Sequence, residues 1–142
     1  MKGSIIQIVS STENTDCEDY NPEEATQAIT LAKNMLSQGM KPQDIAVITP
    51  FRKQVRALRE AAIEILGDSR MLLIDTVERL QGQDVECIIL SFAATNPSYI
   101  NAKAEFLFDH NRLNVMISRG KSKVVIYGGK LIQERLKTTT SL

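Results

Sequence analysis

Apolar residues along this chain follow two patterns: short uninterrupted runs, and longer segments in which they recur at helical spacing. Uninterrupted runs of about four to eight residues bounded by turn residues are typical of buried β-strands. Apolar residues at i, i+3 and i+4 indicate a helix that buries one face. The runs predict strands at residues 5–10, 44–49, 71–75, 86–93 and 123–127. The spacing predicts helices at residues 22–38, 51–66 and 131–136, and one more between a cap at Asp109 or Asn111 and a stop at Gly120.

The nature and order of these elements predict the fold class. Strands that are apolar throughout need cover on both faces, which favours a mostly parallel sheet with helices on both sides. We therefore expect one three-layer α/β/α domain over residues 1–142, with disordered ends at residues 1–4 and 138–142 and an irregular segment at residues 96–105. Ligands of such sheets bind beyond the carboxyl ends of the strands. Three features are expected there: residues 49–52, residues 75–84, and the helix that carries Arg112 and Arg119.

Composition limits the kind of ligand site. The formal net charge of the 142 residues is zero, so a broad basic surface is not expected and an anion site must be a local cluster. Eight of the 17 Lys and Arg residues form two local groups: Arg52, Lys53, Arg56 and Arg59, and Arg112, Arg119, Lys121 and Lys123.

The two cysteines, Cys17 and Cys87, indicate neither a disulfide framework nor a metal site. Cys87 lies within a strand pattern and is interpreted as a small core residue. This cysteine usage predicts a cytoplasmic protein. No apolar run approaches the roughly eighteen residues that a membrane span requires, so no membrane partner is expected.

Arg112 and Arg119 are seven residues apart, close to two helical turns, so both can point the same way. Two forked cations on one helix face suit a phosphate or carboxylate partner. The alternative is two arginines on a solvated face or in structural ion pairs, which is the usual environment of arginine. Both interpretations stay open from spacing alone.

The polar segment at residues 76–84 lies between two strong strand patterns, as a ligand-binding loop often does. Gly82 allows close backbone approach, Gln81 offers donors and an acceptor, and Asp84 can accept a hydrogen bond from a sugar hydroxyl. The alternative is a solvated connector.

Several motifs of complete enzymes are absent from the sequence. There is no G-x-x-x-x-G-K-[ST] phosphate loop, and no pair of acidic residues has the context of a magnesium site. His110 is the one histidine and is interpreted as a surface or packing residue. Without a nucleophile motif or a metal-ligand set, the chain is not expected to be a complete enzyme.

Four blocks of sequence together carry a family resemblance. They are N-P-E-E-A at residues 21–25, I-T-P-F-R-K-Q-V at residues 48–55, T-V-E-R-L-Q-G-Q-D at residues 76–84 and R-L-N-V-M-I-S-R-G-K at residues 112–121. In this order they resemble the second RecA-like domain of a superfamily 1 helicase. The closest subgroup includes the nonsense-mediated-decay RNA helicase and the Okazaki-processing helicase-nuclease. The last two blocks resemble motifs V and VI, and the resemblance covers nearly all of the chain.

The resemblance implies a role for each matching position. Arg119 matches the motif VI arginine finger, which reaches the γ-phosphate across the cleft between two RecA-like domains. Arg112 matches the first motif VI arginine, a structural or coupling residue of the nucleotide site. The remaining matches are with motif V at the nucleotide cleft, Gln81, Gly82 and Asp84, and with nucleic-acid-binding positions, Thr49, Pro50, Gln54 and Thr76.

Three positions depart from the usual family pattern. Asp84 stands where glutamate usually contacts the ribose, and its shorter side chain weakens that expectation. Ser118 replaces threonine but keeps the hydroxyl. Gly120 replaces alanine, which would weaken a helix there by about 1 kcal/mol.

The resemblance also implies a cofactor and partners. ATP with Mg²⁺ would be bound mainly by an N-terminal RecA-like domain of the same polypeptide, which this sequence lacks. The nucleic-acid partner would be single-stranded DNA or RNA, and the isolated chain is expected to be inactive. One alternative is a non-catalytic RecA-like module that binds nucleic acid or protein. Another is a complete small α/β enzyme with a different chemistry.

Overall fold

The computed structural model describes residues 5–10, 14–80 and 82–140. Its sheet has five strands, all paired in parallel, in the order β1-β5-β4-β2-β3. The strands are β1 Ile5–Ser10, β2 Ile45–Thr49, β3 Leu73–Thr76, β4 Val85–Ser91 and β5 Gly120–Gly128. The predicted fold class, a RecA-like α/β domain with a parallel central sheet, is confirmed.

Helices cover both faces of the sheet. They are α1 Pro22–Ser37, α2 Arg52–Leu66, α3 Pro97–Ala102, α4 Ala104–Leu107, α5 His110–Ser118 and α6 Lys130–Thr140, with short 3₁₀ helices at Pro42–Asp44 and Val77–Leu80. On one face, α1 and α2 pack on the side chains of Ile45, Val47 and Ile89. On the other face, α3 to α6 and Val77–Leu80 pack on Ile48, Ile88 and Leu90. Alternate residues of β2 and β4 therefore face opposite layers, and both layers are apolar.

The start of β5 differs from the prediction for a local reason. β5 begins at Gly120 because the backbone N–H of Val85 donates to the carbonyl of Arg119, 2.9 Å away, and starts the pairing with β4. Gly120 therefore lies in a strand, and the expected weakening of a helix at this residue is wrong. A Cβ on Gly120 would lie 2.9 Å from the carbonyl oxygen of Lys123, so glycine fits this close approach.

Residues 96–105, predicted to be irregular, contain α3 and the start of α4. Helices this short show too few turns for apolar periodicity to reveal them. α6 continues beyond the predicted residue 136 to Thr140, while residues 1–4, 141 and 142 lie outside the described ranges. Within the described chain, no helix combines the length and apolar character needed to cross a membrane.

A buried polar network holds α1 against the end of β4. The Glu24 carboxylate, which has no exposed surface, accepts hydrogen bonds from the Ser91 hydroxyl and from the backbone N–H of Ala93. Asn21 caps α1 through Glu24 N–H and donates its amide to the carbonyl of Ala93, 3.0 Å away. Gln54 joins α2 to the network by donating to Asn21 O and to Ser91 Oγ, both at 3.0 Å. The network thus supplies hydrogen-bond partners for the buried Asn21, Gln54 and Ser91 side chains and for Glu24 Oε1.

We predict that Glu24→Ala lowers the free energy of unfolding by about 2–4 kcal/mol, because it leaves two buried donors without an acceptor and opens a cavity. Urea unfolding measures the loss. The matched control is Glu23→Ala on the exposed side of the same helix turn, which should change stability by less than about 1 kcal/mol. Equal losses in the two variants would show that the network contributes little.

Burial raises the pKa of the Cys87 thiol to about 11, while the nearby charge of Lys123 lowers it by a smaller amount. An unfolded cysteine titrates near pH 8.5, so the unfolded chain loses this proton first. Stability contributed by the protonated thiol should therefore fall as pH rises from about 8.5 to about 11, by up to about 3 kcal/mol. The effect is measured by comparing the unfolding free energies of two proteins across this pH range. One carries Cys17→Ser alone, and the other carries Cys17→Ser together with Cys87→Ala. A pH-independent difference between the two proteins would contradict it.

Candidate functional site

The parallel sheet divides the predicted site residues between its two edges. Thr49 and Thr76 end β2 and β3 and pair with each other at the carboxyl edge. Asp84 and Arg119 immediately precede β4 and β5, so they lie at the amino edge. The expectation that all three predicted features lie beyond the carboxyl ends is therefore wrong for these two residues. The reason is that residues 77–84 and α5 each lead from the carboxyl edge back to the amino edge.

Two ion pairs join α5 to the connection between β3 and β4. Arg112 Nη2 lies 3.3 Å from Glu78 Oε2, and Arg119 Nη1 lies 3.4 Å from Asp84 Oδ1. The arginines are seven residues apart and their acidic partners six, so the two segments run side by side in the same direction. In this structure both arginines are therefore in ion pairs within the domain, as the alternative interpretation of their spacing expected.

Arg112 is held by several contacts and is 20% exposed. Its guanidinium lies over the ring of Phe106, 4.2 Å from the ring centroid, and its Nη1 donates to the Phe106 carbonyl at 3.4 Å. Partial burial alone would raise the pKa of Glu78. Hydrogen bonds from its own backbone N–H and from Thr76, together with the Arg112 charge, outweigh burial and hold that pKa below its usual value. Glu78 therefore keeps its charge for Arg112 at neutral pH.

Arg119 is placed where a further acceptor can reach it. It caps the carboxyl end of α5, and its side chain is 33% exposed. Its Nε is buried and has no hydrogen-bond partner among the described residues. A buried donor without an acceptor is unfavourable by about 1–3 kcal/mol, so a movement of the side chain that brings Nε to an oxygen acceptor would be favourable, whereas the exposed part of the guanidinium can be reached without it.

The other residues predicted to contact the nucleotide, which with Arg112 and Arg119 form the nucleotide cluster, are Gln81, Gly82 and Asp84. Gly82 and Asp84 are exposed. Gly82 has a φ of 76°, in the left-handed region, and a Cβ there would meet no atom within 4 Å. Asp84 is 54% exposed beside Arg119. Gln81 lies outside the described residues. No cluster of three His, Cys, Asp or Glu side chains suited to a metal occurs in the described ranges. The candidate ligand contacts are the donors of Arg112, Arg119 and the Gly82 backbone, together with the Asp84 carboxylate.

The predicted nucleic-acid residues at the carboxyl edge are buried: Thr49, Pro50, Gln54 and Thr76. Thr49 Oγ1 accepts from Phe51 N–H at 3.3 Å, and the Gln54 carboxamide is used within the polar network. These side chains shape the turn between β2 and α2. Any contact they make with nucleic acid is expected through the turn that they hold.

Three exposed side chains near this turn were assigned no role from the sequence motifs: Arg52, Lys53 and Phe106. Arg52 and Lys53 are exposed in the first turn of α2, which has no side-chain cap and no acidic residue. The sequence feature that could have indicated them is the basic group at residues 52–59. Phe106, 41% exposed, carries no such signal because its segment lacks a recognisable period.

The fold and this site define a P-loop NTPase-like α/β domain in which two arginines pair the α5 segment with the connection between β3 and β4. The chain belongs to the AAA domain family, whose model matches residues 5–131.

Proteins similar in sequence to this chain include helicases. The chain is 32% identical over 108 residues to the DNA replication ATP-dependent helicase/nuclease DNA2 of Bos taurus, a match that covers 76% of this chain and 10% of that protein. It is 27% identical over 116 residues to JHS1 of Arabidopsis thaliana, which carries the same description, covering 82% of this chain and 8% of that protein. It is 29% identical over 126 residues to the probable RNA helicase armi of Drosophila melanogaster, covering 85% and 10%. The chain thus spans about a tenth of the length of these relatives.

We predict a weak coupling energy between Arg119 and Asp84, about 0.2–1 kcal/mol, because both side chains are substantially exposed. A double-mutant cycle with Arg119→Ala and Asp84→Ala, followed by urea unfolding, measures it. The comparison cycle is Arg112→Ala with Glu78→Ala, in which the single Arg112 substitution should be the costlier one because it also removes the packing on Phe106. Coupling above about 2 kcal/mol would mean that Arg119 is locked onto Asp84.

Proposed function

We propose that this chain is the second RecA-like domain of an ATP-dependent superfamily 1 helicase and supplies the arginine finger of the motor. The observation that carries the proposal is Arg119. It stands at the end of α5 with a buried, unpartnered Nε and with Asp84 as its exposed partner. The motif VI and motif V resemblances, the AAA domain match and the helicase relatives support the same assignment.

The cofactor of this activity is ATP with Mg²⁺, held mainly by an N-terminal RecA-like domain of the same polypeptide. When bound, it supplies the free energy of phosphoanhydride hydrolysis. Arg119 fits it because a planar, permanently charged fork matches phosphate oxygens. Leaving Asp84 costs Arg119 little, since exposed ion pairs contribute about 0–1 kcal/mol.

Other residues of the cluster support the finger. Arg112, held by Glu78 and Phe106, fixes α5 to the connection between β3 and β4. Gly82 leaves its backbone open to close approach. Asp84, together with Gln81, is the proposed contact for the nucleotide, and the Asp84 carboxylate would accept a hydrogen bond from a ribose hydroxyl.

The nucleic-acid partner, single-stranded DNA or RNA, is proposed to lie along the carboxyl edge of the sheet. Thr49, Pro50 and Gln54 hold the turn before α2, and Thr76 ends the neighbouring strand. Arg52 and Lys53 are exposed beside this turn and suit backbone phosphates. Binding should accordingly weaken as the salt concentration rises.

One observation favours the second candidate, a non-catalytic RecA-like module that binds nucleic acid or protein. Both motif VI arginines are already ion-paired within the domain, as they would be in a purely structural role. The two candidates differ in whether Arg119 is needed for turnover.

We predict that Arg119→Ala in the full-length protein lowers nucleic-acid-stimulated ATP hydrolysis by about three orders of magnitude or more while nucleotide binding persists, as expected for an arginine finger. Steady-state hydrolysis and fluorescent-nucleotide titration measure the two properties. Arg79→Ala is the matched control, because Arg79 is 70% exposed and pairs with Asp75 at the other end of the same connection. The domain alone should hydrolyse no ATP.

Unchanged turnover in the Arg119 variant would remove this residue from the mechanism and leave α5 as scaffold. Absence of hydrolysis in the intact full-length protein, with nucleic-acid or protein binding retained, would favour the non-catalytic module.

A further inference from the structure

An aromatic cluster lies next to the turn between β2 and α2. Phe51 follows Pro50 directly, and its ring centroid lies 5.8 Å from that of Phe106 and 6.0 Å from that of Tyr99. Phe51 is the buried centre, with 8% exposure, whereas Phe106 is 41% exposed. Of the large hydrophobic side chains exposed in the described ranges, Phe106 is the aromatic one. Phe106 is thus the most exposed ring of the cluster, and Tyr99 is partly buried.

The Phe106 ring is held in place. The guanidinium of Arg112 lies over it at 4.2 Å from the centroid, and the ring of Phe51 packs against it at an interplanar angle of 39°. Arg112 lies over the ring, so a flat ligand would stack on the exposed part that it leaves, and a ring fixed by two neighbours loses little side-chain entropy on binding.

Cations and acidic residues both lie around the cluster, and Lys103 Nζ lies over the Tyr99 ring, 5.9 Å from its centroid. Arg112 contacts the ring itself, and Arg52 and Lys53 directly follow Phe51. The acidic residues Glu18 and Asp19 lie on the Tyr99 side, where their charges help to raise the pKa of Tyr99, after the larger effect of its burial. Glu105 is also exposed next to Phe106 in the chain, and Glu78 and Asp109 are engaged with Arg112.

We propose that Phe106 is a base-stacking residue for single-stranded nucleic acid, with Arg52 and Lys53 contacting the adjoining phosphates. This inference rests on the proposed function and adds a contact with a base to the backbone contacts proposed there. Every nucleobase has a flat face, so the site takes DNA or RNA with little sequence preference. Arg112 touches the same ring, so an occupied stacking site adjoins a residue of the nucleotide cluster.

Binding of a fluorescent oligothymidylate of about 15 nucleotides to the full-length protein tests the proposal, since stacking is worth about 1–3 kcal/mol per base. Phe106→Ala should weaken binding by about tenfold, and Phe106→Trp should retain it. The same measurements with an abasic oligonucleotide of equal length separate stacking from charge. On that probe, Phe106→Ala should have no further effect. Ile63→Ala is the control, because Ile63 is 58% exposed and apolar but lies on α2 outside the cluster.

Loss of equal size on the normal and abasic probes would overturn the proposal and indicate that Phe106 supports the fold or packs against another domain. Unchanged binding of the normal probe by Phe106→Ala would overturn it as well. If the alanine variant does not fold, binding by Phe106→Leu is compared with binding by Phe106→Trp. Both variants retain an apolar side chain that packs on Phe51. A wild-type protein that binds neither probe would instead contradict the proposed helicase function.

Discussion

The carboxyl edge of this domain depends on the hydrogen bonds that the fully buried Glu24 carboxylate accepts. Glu24 binds the Ser91 hydroxyl and the N–H of Ala93, and Ala93 has a φ of 64°. A non-glycine residue in the left-handed region is strained by about 1–3 kcal/mol and persists where its surroundings fix it. Here Glu24 fixes the N–H of Ala93 and Asn21 fixes its carbonyl. The chain leaving β4 is thereby directed toward α3, α4 and the aromatic cluster.

The same network accounts for the position of α2. Gln54 contributes its amide donors and its carbonyl acceptor within the protein, so the first turn of α2 is anchored from inside. The outward side of this turn is free to carry Arg52 and Lys53. Within three consecutive residues, the buried Gln54 amide fixes the helix while the Arg52 and Lys53 side chains face outward.

Much of the architecture could be predicted from the sequence because apolar runs and helical spacing are local signals. β1 has the predicted bounds, and α1, α2 and α5 occupy the predicted segments. The edge at which Asp84 and Arg119 lie could not be predicted, because it depends on how the chain returns across the sheet. The burial of Gln54 also escaped prediction, since a polar side chain gives no sign that its partners lie 33 and 37 residues away.

The motif blocks identified which residues to examine but not their resting partners. The pairing of Arg112 with Glu78 and of Arg119 with Asp84 requires the sheet to bring residues 34 and 35 positions apart together. Phe106 was missed because a short helix of four residues, α4, carries it. Stacking of its ring on Arg112 is a tertiary contact that no spacing rule describes.

The connection between β3 and β4 crosses most of the height of the sheet. Both strands pair with β2, and Asp75 lies level with Leu90 through their shared partner Ile48. The chain must therefore pass beyond two strand spacings and return along nearly all of β4, a distance of roughly 20–25 Å. Within the connection, Val77–Leu80 form a 3₁₀ helix and the N–H of Gln83 donates to the carbonyl of Leu80, 2.9 Å away, so this part of the chain is folded rather than extended. By crossing the height of the sheet, the connection places Thr76 and Asp84, two residues of one sequence block, at opposite edges.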